Sequence, residues 1–512
     1  MKRLVLALLL ASLAIPLAAQ PAAADKRQDE RAAAKEEEKD KEPPKDNIVT
    51  TSHTVAINGE TIKYTARAGT MVMKDEDGKA LASFFFTAYT KDGADPAQRP
   101  VTFTFNGGPG SSSVWLHMGA FGPRRVVYGD DEGHAAHPPY RTVENESSLL
   151  DVTDLVFIDP ITTGFSRAIP TKEDAKYHGV AEDVQSVGEF ICLWTTRFNR
   201  WGSPKFVAGE SYGTTRAAGL AGWLHDQGYY LNGIVLISSI LNFQTASFDS
   251  GNDMAYILFL PTYTAISWYH HRLPAELQNG TLENAVATAE KYALGPYTAA
   301  LMQGDRISDD ERRDVASHLA GLTGLSAGFI ERANLRIEED RFDKELLRGE
   351  RYTVGRLDGR FKGRDRDAAG EGTDFDPSLA AIMGEYTGAF NDYVRRDLKF
   401  ESDLPYEVLT GRVHPWNFDK NLNHYLDVAE TLRGAMAENP YLHVFVANGY
   451  YDLATPFAAT RYTFARMQSE PELAKNVTMD YFKAGHMMYI DRKEHAKLKK
   501  DVADFIRANS GV

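Results

Sequence analysis

The stretch Phe206-Val207-Ala208-Gly209-Glu210-Ser211-Tyr212-Gly213-Thr214-Thr215-Arg216 decides how this chain is read. An apolar run leads into G-x-S-x-G, and a helix-compatible run continues to Leu220. Strand, tight turn, helix is a nucleophile elbow, which holds a serine hydroxyl above the edge of a sheet. Gly209 and Gly213 are small because the turn brings the strand and helix backbones close together. Five residues with three fixed recur by chance, and an ordinary strand–helix junction with a capping serine is the alternative. The flanking pattern favours the nucleophile.

Outward from the elbow, Val101–Phe105, Leu155–Ile158, Lys205–Ala208, Ile234–Ile237, Leu442–Val446 and Thr478–Phe482 read as strands. Helical patterns, among them Glu182–Phe198 and Thr214–Asp226, separate several of them, and Gly228 suits a helix C-cap. Alternating βα units predict a mainly parallel, doubly wound sheet, the α/β-hydrolase fold. Thr61–Thr65 and Ser83–Tyr89 predict an antiparallel entry to it. The long interval 245–435 breaks the alternation, holds helix-like stretches at Met254–Tyr263, Trp268–Arg272 and Leu379–Val394, and is too large for a structureless loop. It reads as an inserted, mostly helical cap over the active site.

In open parallel sheets the working residues gather beyond the carboxyl ends of strands. Here those ends run into Asn106-Gly107-Gly108-Pro109-Gly110-Ser111-Ser112-Ser113, Ser211, Asp452 and His486. Ser, then Asp, then His is the order expected of this fold. Ser211 attacks a carbonyl carbon, His486 takes and returns its proton, and Asp452 fixes the imidazole tautomer and stabilises the imidazolium. The glycine-rich loop lacks the G-K-[ST] ending of a phosphate cradle. It serves better as an oxyanion hole, with the Gly108 and Tyr212 N–H groups worth about 3 kcal/mol each in the transition state.

Composition narrows the partners. The net charge of −14 argues against nucleic acid, because phosphate binding relies on excess Lys and Arg. Residues 1–24 read as a signal peptide, basic at Lys2-Arg3 and then apolar but interrupted by Pro16; a membrane anchor is the competing reading. Residues 25–48 read as a charged, disordered linker and 49–512 as the catalytic domain. An exported protein, periplasmic or secreted and without a stable membrane anchor, is expected; oligomeric state stays open. With one cysteine, Cys192, no intrachain disulfide is possible, and its place in a helix with Val184, Val187, Ile191 and Trp194 predicts a buried thiol. His134 and His137 have metal-ligand spacing but no third ligand, and neither H-E-x-x-H nor C-x-x-C occurs, so no metal or other cofactor is expected.

Taken in order, Phe105-Asn106-Gly107-Gly108-Pro109-Gly110-Ser111-Ser112, Ile158-Asp159-Pro160-Ile161-Thr162-Thr163-Gly164-Phe165-Ser166, Gly209-Glu210-Ser211-Tyr212-Gly213, Asp452 with Pro456, and Gly485-His486-Met487 resemble a serine carboxypeptidase of family S10, and that family's bacterial members lacking disulfides. The resemblance runs over most of 80–495 and implies hydrolysis of C-terminal residues from peptides with a free C-terminus. It also implies that Asn106, the Gly107 N–H and Glu210 bind the substrate carboxylate, and that Met487 lines the pocket for the departing residue. A carboxylic acid donates a hydrogen bond to a carboxylate only while protonated, and acidic surroundings favour that state.

Three departures stand out. The family's second glutamate, partner of the one before the nucleophile, falls at Ala120. Ser111 replaces a customary cysteine, and Met488-Tyr489 replaces Val-Pro after the histidine. An acyltransferase or lyase on the same residues is the alternative enzyme class, since an acyl-enzyme can be resolved by acceptors other than water. A binding protein that has lost activity is a third reading, opposed by the intact Ser211, Asp452 and His486.

Overall fold

A computed structural model describes residues 44–418 and 424–511. The stretch read as a signal peptide, and most of the linker, lie outside the described residues. The linker ends earlier than expected. Strand β1 (Asn47–Ile57) starts inside it, because Val49, Val55 and Ile57 have an apolar surface to cover.

β1 pairs antiparallel with β2 (Glu60–Lys74), and β2 with β3 (Ala80–Lys91), so the antiparallel entry is real but its strands are far longer than the sequence pattern suggested. Then come β4 (Val101–Phe105), β5 (Asp154–Ile158), β6 (Lys205–Ser211), β7 (Gly233–Ser239), β8 (His443–Gly449) and β9 (Val477–Phe482). Their order in the sheet is β1-β2-β3-β5-β4-β6-β7-β8-β9, and every pairing from β5 onward is parallel. β4, β5 and β7 are buried throughout, as parallel strands covered on both faces must be. This is the α/β-hydrolase arrangement.

Alternate side chains feed two cores. Val207, Leu236 and Val446 face a layer made by helices α1 (Val180–Arg197) and α2 (Tyr212–Asp226). Phe206, Val235 and Phe445 face the opposite layer, where the C-terminal helix Arg492–Asn509 contributes Leu498, Val502 and Ile506. Cys192, on α1, is part-buried with its thiol pushed up to about 11 by burial, which makes it a poor nucleophile.

The interval 245–435 is mostly helical but not one body. Met254–Tyr263 and Trp268–Arg272, read as two stretches, belong largely to one helix, Met254–Tyr269, which carries Pro261 inside it. That helix, Leu282–Tyr292 and Asp309–Thr323 enclose a third apolar core. Helix Pro377–Arg396 instead buries Ile382, Tyr386 and Phe390 in the main core. Helix Ala429–Glu438 packs on α2 and belongs to the sheet's own helical layer. Helical periodicity reveals the helices; it does not say which core each one covers.

Candidate active site

The carboxyl ends of β4, β6, β8 and β9 open into one cleft of about 520 Å³, lined by Asn106, Gly107, Gly108, Glu210, Ser211, Tyr212, His486 and Met487. Ser211 has φ 60° and ψ −132°, a conformation that a residue with a side chain holds only when its surroundings impose it. They do so by close packing. A Cβ on Gly209 would lie 2.1 Å from Gly213 O, and one on Gly107 would lie 2.4 Å from Tyr212 N. The glycine-rich loop is thus pressed against the backbone just after Ser211, as an oxyanion hole drawn from both segments requires.

Asp452 is fully buried, and its Oδ2 lies 2.8 Å from His486 Nδ1. Its Oδ1 accepts from the N–H groups of Ala454 at 2.8 Å and Thr455 at 3.0 Å, and the Thr455 hydroxyl donates to Oδ2 at 2.7 Å. A carboxylate so held accepts the Nδ1 proton, leaving Nε2 as the basic nitrogen. Burial opposes the His486 cation, but Asp452 and Glu210 outweigh it and raise the imidazole pKa above its ordinary value. Ser211 and His486 share the cleft; among the described residues no hydrogen bond joins them, and such bonds often tighten only in the complex with substrate.

Beside the serine, Glu210 Oε1 accepts from Asn106 Nδ2 at 3.0 Å. Asn106 is fixed in turn, since its Oδ1 accepts from Leu116 N at 3.1 Å and its carbonyl from Arg216 Nη1 at 2.6 Å. Burial lifts Glu210 to about 7, an effect that Asp452 reinforces and that His486, Tyr489 and Asn106 oppose. Below about pH 7 a neutral carboxyl and an amide therefore stand together next to Ser211, both able to donate to an anion.

With this geometry, the chain's relatives can be placed. Residues 58–499 match the family described as serine carboxypeptidase. The chain belongs to that family. Two curated relatives, serine carboxypeptidase-like 34 and serine carboxypeptidase-like 33 of Arabidopsis thaliana, are 29% and 28% identical over 30% and 31% of the chain. The matched segments span only 28% and 31% of those relatives' own length. Among solved structures, the Saccharomyces cerevisiae Kex1Δp, a prohormone-processing carboxypeptidase, superposes with a TM-score of 0.55 over 87% of this chain and 91% of its own, at 16% identity, and so supports the fold.

Several members of the site are not visible in the motifs. Thr455 braces the acid. Ser238 Oγ donates to His486 O at 2.6 Å. Trp115, Leu379 and Ile382 give the cleft an apolar wall. From the helical interval, Leu357 O accepts His486 N at 2.6 Å and Asp358 Oδ2 accepts Gly485 N at 2.9 Å, so the histidine loop leans on the insertion. Asp159, in the quoted I-D-P motif, accepts from both Ser113 N and Ser113 Oγ and anchors the glycine-rich loop. His134 Nδ1 pairs with Asp130 Oδ2 at 2.8 Å, and among the described residues no cluster of three or more His, Cys, Asp or Glu side chains is arranged to hold a metal ion.

Proposed function

We propose that this chain is a serine-type carboxypeptidase, cleaving the last residue from peptides with a free C-terminus. The observation that carries the reading is the buried Asn106–Glu210 pair, 3.0 Å apart, in the same cleft as Ser211 and the His486–Asp452 couple. Ser211 Oγ attacks the last peptide carbonyl while His486 Nε2 takes its proton, and the Gly108 and Tyr212 N–H groups receive the oxyanion. His486 then protonates the departing amine, and the peptide remains esterified to Ser211. Water, deprotonated by the same imidazole, releases the shortened peptide and restores the serine. Asn106, the Gly107 N–H and neutral Glu210 hold the terminal carboxylate, so the scissile bond is the last one. Met487, with Trp115 and Ile382, surrounds the departing side chain and favours an apolar one.

The export reading rests on residues 1–24, with their basic start and short apolar run. Among the described residues, no helix is long and apolar enough to cross a membrane.

Labelling with a fluorophosphonate, alongside release of free amino acid from an N-blocked dipeptide, tests the assignment. The wild type should be labelled and should release equal amounts of amino acid and N-blocked acid. Ser211→Ala should do neither. Label retained by Ser211→Ala, or N-blocked product recovered as an ester or amide of another acceptor, would contradict it.

A further inference from the structure

Tyr489 lies in the single turn Met488–Ile490, three residues after His486, and is buried. Its ring and the Tyr386 hydroxyl close over Gly119, where a Cβ would fall 2.6 Å from Tyr489 Cε2 and 2.1 Å from Tyr386 Oη. The next residue, Ala120, brings no polar side chain, and its carbonyl is taken by Asn145 Nδ2 and His495 Nε2. The neighbouring tyrosines Tyr128, Tyr386 and Tyr489 all feel the Glu210 carboxylate. Tyr128 and Tyr386 bond to one another at 2.6 Å. Glu210 Oε2 and Tyr489 Oη are both buried without a closed hydrogen bond, yet the hydroxyl is near enough to Glu210 to favour its charged form. Buried polar atoms left open are costly, so two that face one another are driven to pair.

We propose that the Tyr489 hydroxyl is the second hydrogen-bond donor to Glu210, opposite Asn106, and positions that carboxyl for recognition of the substrate's C-terminal carboxylate. This rests on the carboxypeptidase reading of the cleft. Tyr489 sits behind Glu210 and outside the cleft lining, so it acts through Glu210 and not on substrate. A phenol suits the place because burial holds it well above its ordinary pKa, so it keeps its proton, and its power to donate, wherever the enzyme works. The other ionisable groups facing Glu210 pull in both directions: His486 favours its charge, Asp452 opposes it, and Tyr128 and Tyr386 feel the same carboxylate. Tyr489 is thus the neutral donor that fixes the Glu210 carboxyl opposite Asn106 and sets how readily it ionises.

The sign of the effect follows. Removing the hydroxyl removes support for ionised Glu210, so Glu210 stays protonated to higher pH. KM for an N-blocked dipeptide acid, which climbs as Glu210 ionises, should climb about one pH unit later in Tyr489→Phe, a roughly tenfold lower KM on the alkaline side. The ring remains over Gly119, so kcat should hold, as should the slow turnover of the dipeptide amide. In a Glu210→Gln background, Tyr489→Phe should leave the KM profile unmoved. A Tyr489→Phe profile that superposes on wild type, or the same shift with Gln at 210, would overturn the proposal. Wild type that turns over acid and amide alike would overturn the carboxypeptidase reading as well, a result recognisable before any variant is made.

Discussion

Arg216 Nε lies 2.7 Å from Asp183 Oδ2, both side chains buried, and the same guanidinium donates to Asn106 O at 2.6 Å. One arginine on the elbow helix therefore ties α1 to the loop that carries Asn106. Burial raises the Asp183 pKa although Arg216 opposes the shift, which marks this carboxylate as expensive to leave unpaired.

Arg216→Met should destabilise the fold by about 3–5 kcal/mol, because it strands a buried charge. The pair Asp183→Leu with Arg216→Met should lose less than Arg216→Met alone. Urea unfolding of the three variants reads this directly; a double variant as damaged as the sum of the singles would mean the two are not coupled.

Asp452→Asn should lower kcat about 10⁴-fold with little change in fold. The Ala454 and Thr455 N–H groups hold Oδ1, so the new amide oxygen takes that place and its NH2 faces His486 Nδ1. The imidazole must then carry its proton on Nε2, where it cannot accept one from Ser211. Steady-state kinetics on an N-blocked dipeptide measures the loss; a variant within tenfold of wild type would show that Asp452 does not set the tautomer.

The two raised pKa values predict a bell. His486 must be neutral to act as base, and its pKa lies above the ordinary value, so kcat/KM rises as pH climbs through it. Glu210 must be neutral to hold the carboxylate, and that form is lost as pH climbs through about 7. Free-acid dipeptides should therefore show both limbs, which belong to the interacting pair and not to either group alone. The matching C-terminal ester should show only the rising limb. A falling limb of equal size for the ester would place carboxylate recognition elsewhere.

Glu210 also links stability to pH. Its folded pKa of about 7 exceeds the ordinary 4.5, so the folded chain holds this proton more tightly than the unfolded one. Stability contributed by the neutral group is complete below about 4.5 and declines as pH rises toward about 7. Glu210→Gln lacks this loss, and its stability relative to wild type should grow across that window by up to about 3 kcal/mol. Thermal unfolding at pH 5 and pH 8 tests it; a constant difference between the two proteins would mean that Glu210 titrates normally.

The elbow, the strand ends and the Ser211, Asp452, His486 order were readable because each depends on local chemistry: a run of β-formers, glycines where backbones touch, one reactive side chain just beyond. In β4 the run of β-formers and the strand share the same bounds, Val101–Phe105. Leu357, Asp358 and Tyr489 were not readable as parts of the site. Leu357 acts through its carbonyl, which carries no residue-type signature, and Asp358 reaches Gly485 across 127 positions of chain. Tyr489 appeared only as a departure from Val-Pro; that its ring covers Gly119 follows from packing no periodicity encodes. The same limit explains helix Pro377–Arg396, whose apolar face was evident while its destination, the main core, was not.

The most direct test of the whole account compares an N-blocked dipeptide with its C-terminal amide from about pH 4 to pH 8, with Ser211→Ala as control. Cleavage of the free acid should be about a hundredfold faster in kcat/KM, a ratio that shrinks as Glu210 ionises toward pH 8, with no turnover by the control. Equal cleavage of acid and amide at every pH would contradict it, leaving a serine hydrolase in which the Asn106–Glu210 pair does not read the end of the chain.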